Sequence, residues 1–172
     1  MPAPFIVTAE LPGDILAWAD GLRRAHYPPE RNKLAAHVTL FHSFAPSLRE
    51  ELPRVLARLA GLYARPTAQI DSLMPLGTGT ALAIRSPGML AIREHVAELL
   101  HGALTAQDDH APRLHITVQN KVTPKAAKAL QRVLAATLEP RSFAFTALGL
   151  HLYRETHWDS VGCWKFRGKQ SG

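Results

Sequence analysis

Apolar and polar positions along the chain alternate between two periods, and each change of period marks a boundary between elements. Phe5-Ile-Val-Thr-Ala9 is β-branched and aromatic and is stopped by Leu11-Pro12-Gly13, which predicts a short opening strand. Ile15, Trp18, Ala19 and Leu22 recur at helical spacing within Asp14–His26, and Pro28-Pro29 ends that helix. His37–Phe44 reads as a strand. Ser47-Leu-Arg-Glu50 has the form of a capping box, ahead of a helix whose stripe is Leu48, Leu52, Val55, Leu56 and Leu59. Strands are expected at Thr67–Leu76 and Thr80–Arg85, joined by Gly77-Thr78-Gly79, followed by a helix over Met89–Leu104. Residues 105–112 are polar and end in proline, which predicts a loop, and Leu114–Val122 is another strand. Thr123-Pro124 opens the last helix, because proline at the first helical position gives up no needed donor. Ala127, Leu130, Leu134 and Leu138 form its apolar face, and strands at Ser142–Tyr153 and Gly162–Phe166 close the chain.

The resulting order, β-α-β-α-β-β-α-β-α-β-β, nearly repeats. Each half holds a strand that begins His-apolar-Thr-apolar and precedes a helix: His37-Val-Thr-Leu40 and His115-Ile-Thr-Val118, which lie 78 residues apart. A chain with 9 His and 11 Thr holds one such tetrad by chance on the order of 0.1 times. A single copy is therefore weak evidence, and the matched pair carries the signal.

Side chains alternate across a strand, so His37 and Thr39 share one face and His115 and Thr117 share another. That pairing suits cleavage of a phosphodiester without a metal. A neutral imidazole takes a proton from the attacking oxygen, a protonated one donates to the leaving oxygen, and a pKa of ~6.5 lets both forms exist near neutrality. The threonine hydroxyls can donate to non-bridging phosphate oxygens as charge builds there. By the same parity Arg113, Gln119 and Lys121 line the His115 face, with Lys121 the preferred phosphate cation and Arg113 its rival. Phe41 shares the His37 face, and Tyr153 lies in a C-terminal aromatic group with Trp158 and Trp164, so both can stack on a base. His42 has the wrong parity for the site, and His26, His151 and His157 lack a partner pattern.

Composition changes this picture only slightly. The net charge is +6, which favours anionic partners such as nucleotides or RNA. The excess leans mildly towards the C-terminal half, with 11 basic and 7 acidic side chains in residues 87–172 against 9 and 7 before them. The single cysteine, Cys163, makes neither an internal disulfide nor a multi-cysteine metal site. No HExxH-like spacing is present, so no metal and no cofactor are expected. No apolar stretch approaches a membrane span and no secretory leader is visible, which points to a cytoplasmic protein, read here as a monomer that does not bind membranes.

At both tetrads, and in the closing strand Leu148-Gly-Leu-His-Leu-Tyr153-Arg154, the chain resembles the 2H phosphoesterase superfamily, in its LigT-like group of 2′-5′ RNA ligases and RNA 2′,3′-cyclic phosphodiesterases. The resemblance covers nearly the whole length. It implies one α+β domain over residues 1–172, bilobal, with two antiparallel sheets flanked by helices and facing each other across a central cleft. It also implies metal-free hydrolysis of a 2′,3′-cyclic phosphate, on an RNA end or a small nucleotide, to a 2′-phosphate. His37 and His115 would be the acid–base pair, in that order, and Thr39 and Thr117 the phosphate-binding hydroxyls. Gln119-Asn120-Lys121 departs from the aromatic or arginine pattern that follows the second tetrad in many members, which leaves the phosphate cation open. Three other readings stand beside this one: a noncatalytic nucleotide- or RNA-binding module of the same fold, a 2′-5′ oligonucleotide phosphodiesterase or ligase, and a structural protein in which the tetrads point into separate cores.

Overall fold

The computed structural model describes residues 3–172. In chain order the elements are β1 (Phe5–Glu10), α1 (Gly13–His26), β2 (Val38–Phe44), α2 (Glu51–Leu62), β3 (Thr67–Pro75), β4 (Thr80–Arg85), α3 (Pro87–Leu99), β5 (His115–Gln119), α4 (Pro124–Thr137), β6 (Arg141–Ala144), β7 (Ala147–Tyr153) and β8 (Trp158–Lys165). The strands form two four-stranded sheets, in the orders β2-β1-β7-β8 and β5-β4-β3-β6. Every neighbouring pair is antiparallel. Each tetrad therefore lies on an edge strand, and the two edges β2 and β5 come together where the sheets meet.

One buried cluster runs through both sheets and joins them. Phe44, Leu56 and Leu150 enter it from the first sheet and its helix, and Ile70, Ile116 and Leu130 from the second. Leu52, Leu56 and Leu59 of α2 are fully buried, each contributing roughly 1.5–3 kcal/mol relative to exposure. Helix α2 packs on β7 and β8, α4 on β3 and β4, and α3 on α2 and β3. Helix α1, although it follows β1 in the chain, packs on β5 of the other sheet. None of the helices among the described residues is long and apolar enough to cross a membrane.

The helix start at Thr123 forms as expected, and α3 begins at Pro87, two residues before the expected Met89. Ser86 and Thr123 accept hydrogen bonds from the backbone N–H groups of Met89 (3.2 Å) and Ala126 (3.1 Å), each with proline next in line. The capping box at Ser47 does not form. Residues Pro46–Leu48 make a separate 3-10 turn, and α2 begins at Glu51 without a side-chain cap. Pro53 accounts for this: it is the third residue of α2, where a missing N–H costs nothing, whereas a start at Leu48 would bury it in the helix interior.

Further boundaries differ from the sequence expectation: β5 ends at Gln119 rather than Val122, and β8 begins at Trp158 rather than Gly162. Helix α3 stops at Leu99 rather than Leu104, and Gly102 takes φ +88° in the turn that follows. The expected strand over Ser142–Tyr153 is two strands, β6 and β7, one in each sheet. Between them Phe145 donates to the Pro66 carbonyl (3.0 Å) and Thr146 to the Glu10 carbonyl (2.9 Å), so the chain passes from one sheet to the other within two residues. Unbroken apolar alternation conceals such a crossing.

Candidate active site

The two tetrads end in the same local irregularity. On β2, Thr39 stands opposite Thr8 but Phe41 stands opposite Val7, so one residue of β2, Leu40, is extra. On β5, Thr117 stands opposite Ala81 and Gln119 opposite Thr80, which makes Val118 extra in the same way. Each bulge falls on the fourth residue of its tetrad. A bulge reverses the alternation beyond it, so strand parity holds from the histidine to the threonine and fails two residues later.

That reversal corrects two expected site residues. Phe41 is fully buried and packs on Phe44, with ring centroids 4.9 Å apart, rather than facing the site. Gln119 is buried as well, where its side-chain oxygen accepts from the Thr80 hydroxyl at 3.0 Å. The expected phosphate cations also fall elsewhere: Arg113 and Lys121 are exposed, and Lys121 sits in a turn at φ +61°. Neither lines the cleft described below, and His115 and Thr39 do not line it either.

The two imidazoles are held identically. His37 Nδ1 donates to the Ala35 carbonyl at 2.8 Å, and His115 Nδ1 to the Arg113 carbonyl at 2.7 Å, in both cases the residue two positions back. A carbonyl can only accept, so Nδ1 carries the proton and the neutral ring leaves Nε2 free to take one. Asp20 fixes the approach to the first motif by accepting from the Ala36 N–H at 2.6 Å. Both histidines are half-buried, as are Thr39 and Thr117.

A cleft of about 360 Å³ brings the motifs together, with His37 and Thr117 both in its wall. Arg23, Arg31 and Lys33 make it electropositive, and Tyr27, Tyr153 and Trp158 supply aromatic surface. Trp158 meets the His37 ring edge-on at 4.6 Å. A more open depression of about 510 Å³, bounded by Thr67, Arg85 and Phe143, is larger but contains no histidine. Among the described residues no three of His, Cys, Asp and Glu gather as metal ligands would.

The sequence profile of the 2′-5′ RNA ligase superfamily matches residues 11–157. The chain belongs to that superfamily. Its fold is LigT-like: it superposes on TT0787 of Thermus thermophilus with a TM-score of 0.66 at 14% identity, over 96% of this chain and 98% of that one. Escherichia coli LigT complexed with 3′-AMP gives 0.63 at 18% identity, over 96% and 99%. A protein described as a phosphoesterase gives 0.61 at 18% identity, over 99% and 100%. None of the curated proteins matches it in sequence.

In this member of the superfamily each tetrad is gripped by an arginine from the opposite half. Arg23 of α1 donates to the Thr117 carbonyl at 2.7 Å and lies over the Tyr27 ring at 4.4 Å. Arg93 of α3 donates to the Leu40 carbonyl at 3.3 Å and lies over the Phe41 ring at 4.2 Å. Both side chains are almost fully buried. Arg93 also bonds the Asp108 carbonyl. The Asp108 carboxylate is buried, which alone would raise its pKa, yet bonds from the His42 side chain and the His42 and Ser43 N–H groups hold it below the usual carboxylate range.

The surroundings of His37 act on its charge. Burial pushes the His37 pKa down to about 4, helped by the positive charges of Arg23, His115 and His151, although the Ala35 carbonyl pulls the other way. The resemblance implied an acid at His37, whereas this environment keeps its ring neutral. His151 and His157, which had no partner pattern in the sequence, both lie near His37: His157 in the cleft wall, and His151 against Thr8 and Glu10. No spacing rule could have found Arg23, Arg31 and Lys33, since the helix and loop that carry them reach the site only through the tertiary fold.

Proposed function

We propose that the protein is a metal-independent phosphodiesterase that opens a 2′,3′-cyclic phosphate on an RNA end or a small nucleotide. One observation carries the proposal. The two imidazoles are fixed through Nδ1 by the same i−2 carbonyl bond, which leaves both Nε2 atoms free, and the charge of His115 is felt at His37. His37, kept neutral by its surroundings, accepts a proton from water as that water attacks phosphorus. His115, protonated, delivers a proton to the departing 3′ oxygen, leaving a 2′-phosphomonoester. Thr39 and Thr117 donate hydrogen bonds to the non-bridging oxygens, and Arg31 and Lys33 at the cleft balance the accumulating charge. Nucleotides are the ligand class carried over from LigT, whose structures include complexes with 3′-AMP and NADP+.

Hydrolysis of 2′,3′-cyclic nucleotides in EDTA tests this, comparing wild type with His37→Ala and His115→Ala. The expected result is turnover that survives chelation and falls about 10²–10⁴-fold in each variant. Full activity in both variants would overturn the mechanism. An inactive wild type would favour a binding module of the same fold.

A further inference from the structure

Helix α4 carries a concentration of positive charge that the proposed diester chemistry leaves unused. Residues 121–137 hold four basic side chains and no acidic one, which is four of the chain's six units of net charge. Lys125, Lys128 and Arg132 follow one another at steps of three and four residues, so they form one stripe along the helix. Lys121 stands four residues ahead of Lys125, in the turn that leads into the helix. All four are exposed, and none has an ion-pair partner among the described residues. Ala127, Leu130 and Leu134, on the opposite face, are the buried ones.

The stripe starts at the rim of the cleft. Asn120 lines the cleft, and its side-chain oxygen accepts from the Lys121 N–H at 2.9 Å and from the Thr78 hydroxyl at 3.0 Å. The Val122 N–H donates to the Thr78 carbonyl at 3.1 Å, and Gln131 Nε2 donates to the Gly79 carbonyl at 3.1 Å. The turn at Gly77-Thr78-Gly79 therefore ties the cleft rim, Lys121 and the middle of α4 into one unit. Lys121 holds φ +61°, in the left-handed region that glycine adopts at least cost. The chain keeps a charge there instead, at the point where the stripe meets the cleft. From Lys125 to Arg132 the helix rises about 10 Å, the rise of roughly three nucleotides in a helical strand.

A row of unpaired cations fits a polyanion whose charges repeat, and a polynucleotide with its end in the cleft would run onto this row. A lipid surface fits less well. The exposed apolar residues of α4 are alanines and Val133, with no aromatic or leucine side chain to enter an acyl layer. We propose that this face of α4 is a docking surface for single-stranded RNA, holding the phosphates of the strand that leads to the end processed in the cleft. The inference rests on the diesterase reading for what occupies the cleft, and it favours an RNA end over a small nucleotide as the substrate. It gives Lys121 a phosphate to hold, but one outside the reacting centre.

Binding tests the surface without turnover. The probe is a fluorescent oligouridylate of about ten nucleotides, ending in a 3′-hydroxyl so that it is not hydrolysed, and anisotropy follows its binding to the full chain. The comparison is a triple variant, Lys125→Gln with Lys128→Gln and Arg132→Gln, whose substitutions keep helix propensity. Wild type is expected to bind about tenfold or more tightly at low salt, with a slope of log K against log salt steeper by about 2, or about 0.7 per phosphate contact. In hydrolysis the variant should show a raised KM for an oligomer ending in a 2′,3′-cyclic phosphate and an unchanged kcat/KM for a 2′,3′-cyclic mononucleotide. Equal affinities and equal salt slopes in the two proteins, or an oligomer that the wild type does not bind, would overturn the surface. So would binding of wild type to phosphatidylserine vesicles in place of RNA. A protein inactive on cyclic phosphates that still shows the binding difference would sink the diesterase reading and leave the docking surface standing.

Discussion

The His37 environment makes a prediction that can be followed from structure to measurement. A fall from 6.5 to about 4 corresponds to about 3 kcal/mol of preference for the neutral ring. Between those values the unfolded chain binds a proton at this position that the folded chain refuses. The favourable contribution is therefore complete above about 6.5 and is lost as pH falls towards 4. Replacing His37 by glutamine removes the titrating group from both states. Chemical denaturation of wild type and His37→Gln at pH 7.5 and pH 4 should show the wild type losing about 3 kcal/mol more than the variant across that interval. Titration of the His37 ring by NMR should give an apparent pKa near 4, leaving about one molecule in a thousand protonated at pH 7. The acid limb of kcat/KM should fall in the same region, because only the neutral ring can act as the base. A His37 titrating at or above 6.5 in the free protein, with an unchanged stability difference between the two pH values, would refute both the electrostatic argument and the choice of His37 as base.

Two other outcomes test the corrected site assignments. Phe41→Ala should lower stability by about 3–5 kcal/mol in denaturant titration, as for a buried aromatic, and the surviving folded enzyme should keep its KM, since the ring faces the core. Lys121→Ala should leave kcat/KM for a cyclic nucleotide within about twofold, whereas Arg31→Ala combined with Lys33→Ala should raise KM several-fold and weaken its dependence on salt.

The sequence made the periodic elements and the two tetrads legible because both rest on local rules. Helical stripes and strand alternation identified every helix and all but one strand. The missing strand was lost at Phe145-Thr146, where the chain changes sheets without breaking its apolar pattern. Pro53 was visible in the sequence and already argued against a helix start at Ser47. Within the site, alternation correctly paired each histidine with its threonine. It then misplaced Phe41 and Gln119 because both strands bulge at the next residue. Nothing in His-x-Thr-x announces a bulge, since Leu40 and Val118 are ordinary strand residues. The cations of the cleft wall were missed for a different reason: Arg113 and Lys121 are near the second motif in sequence and are exposed, while Arg23, Arg31 and Lys33 come from the other half of the chain.

The bulges and the arginines explain each other. A bulge leaves an edge strand poorly determined at the point where, on the proposed mechanism, an imidazole must be held steady. In both halves a buried guanidinium takes a carbonyl at that point, and in both it comes from the helix that belongs, by chain order, to the other motif. Each tetrad is therefore anchored to the half that carries its partner. Because Arg23 also contributes to the low pKa of His37, the anchor of the second motif is part of the electrostatics of the first. On the proposed mechanism the chemistry would reside in neither lobe alone: two histidines 78 residues apart would act together because two crossed arginines fix the strands that present them.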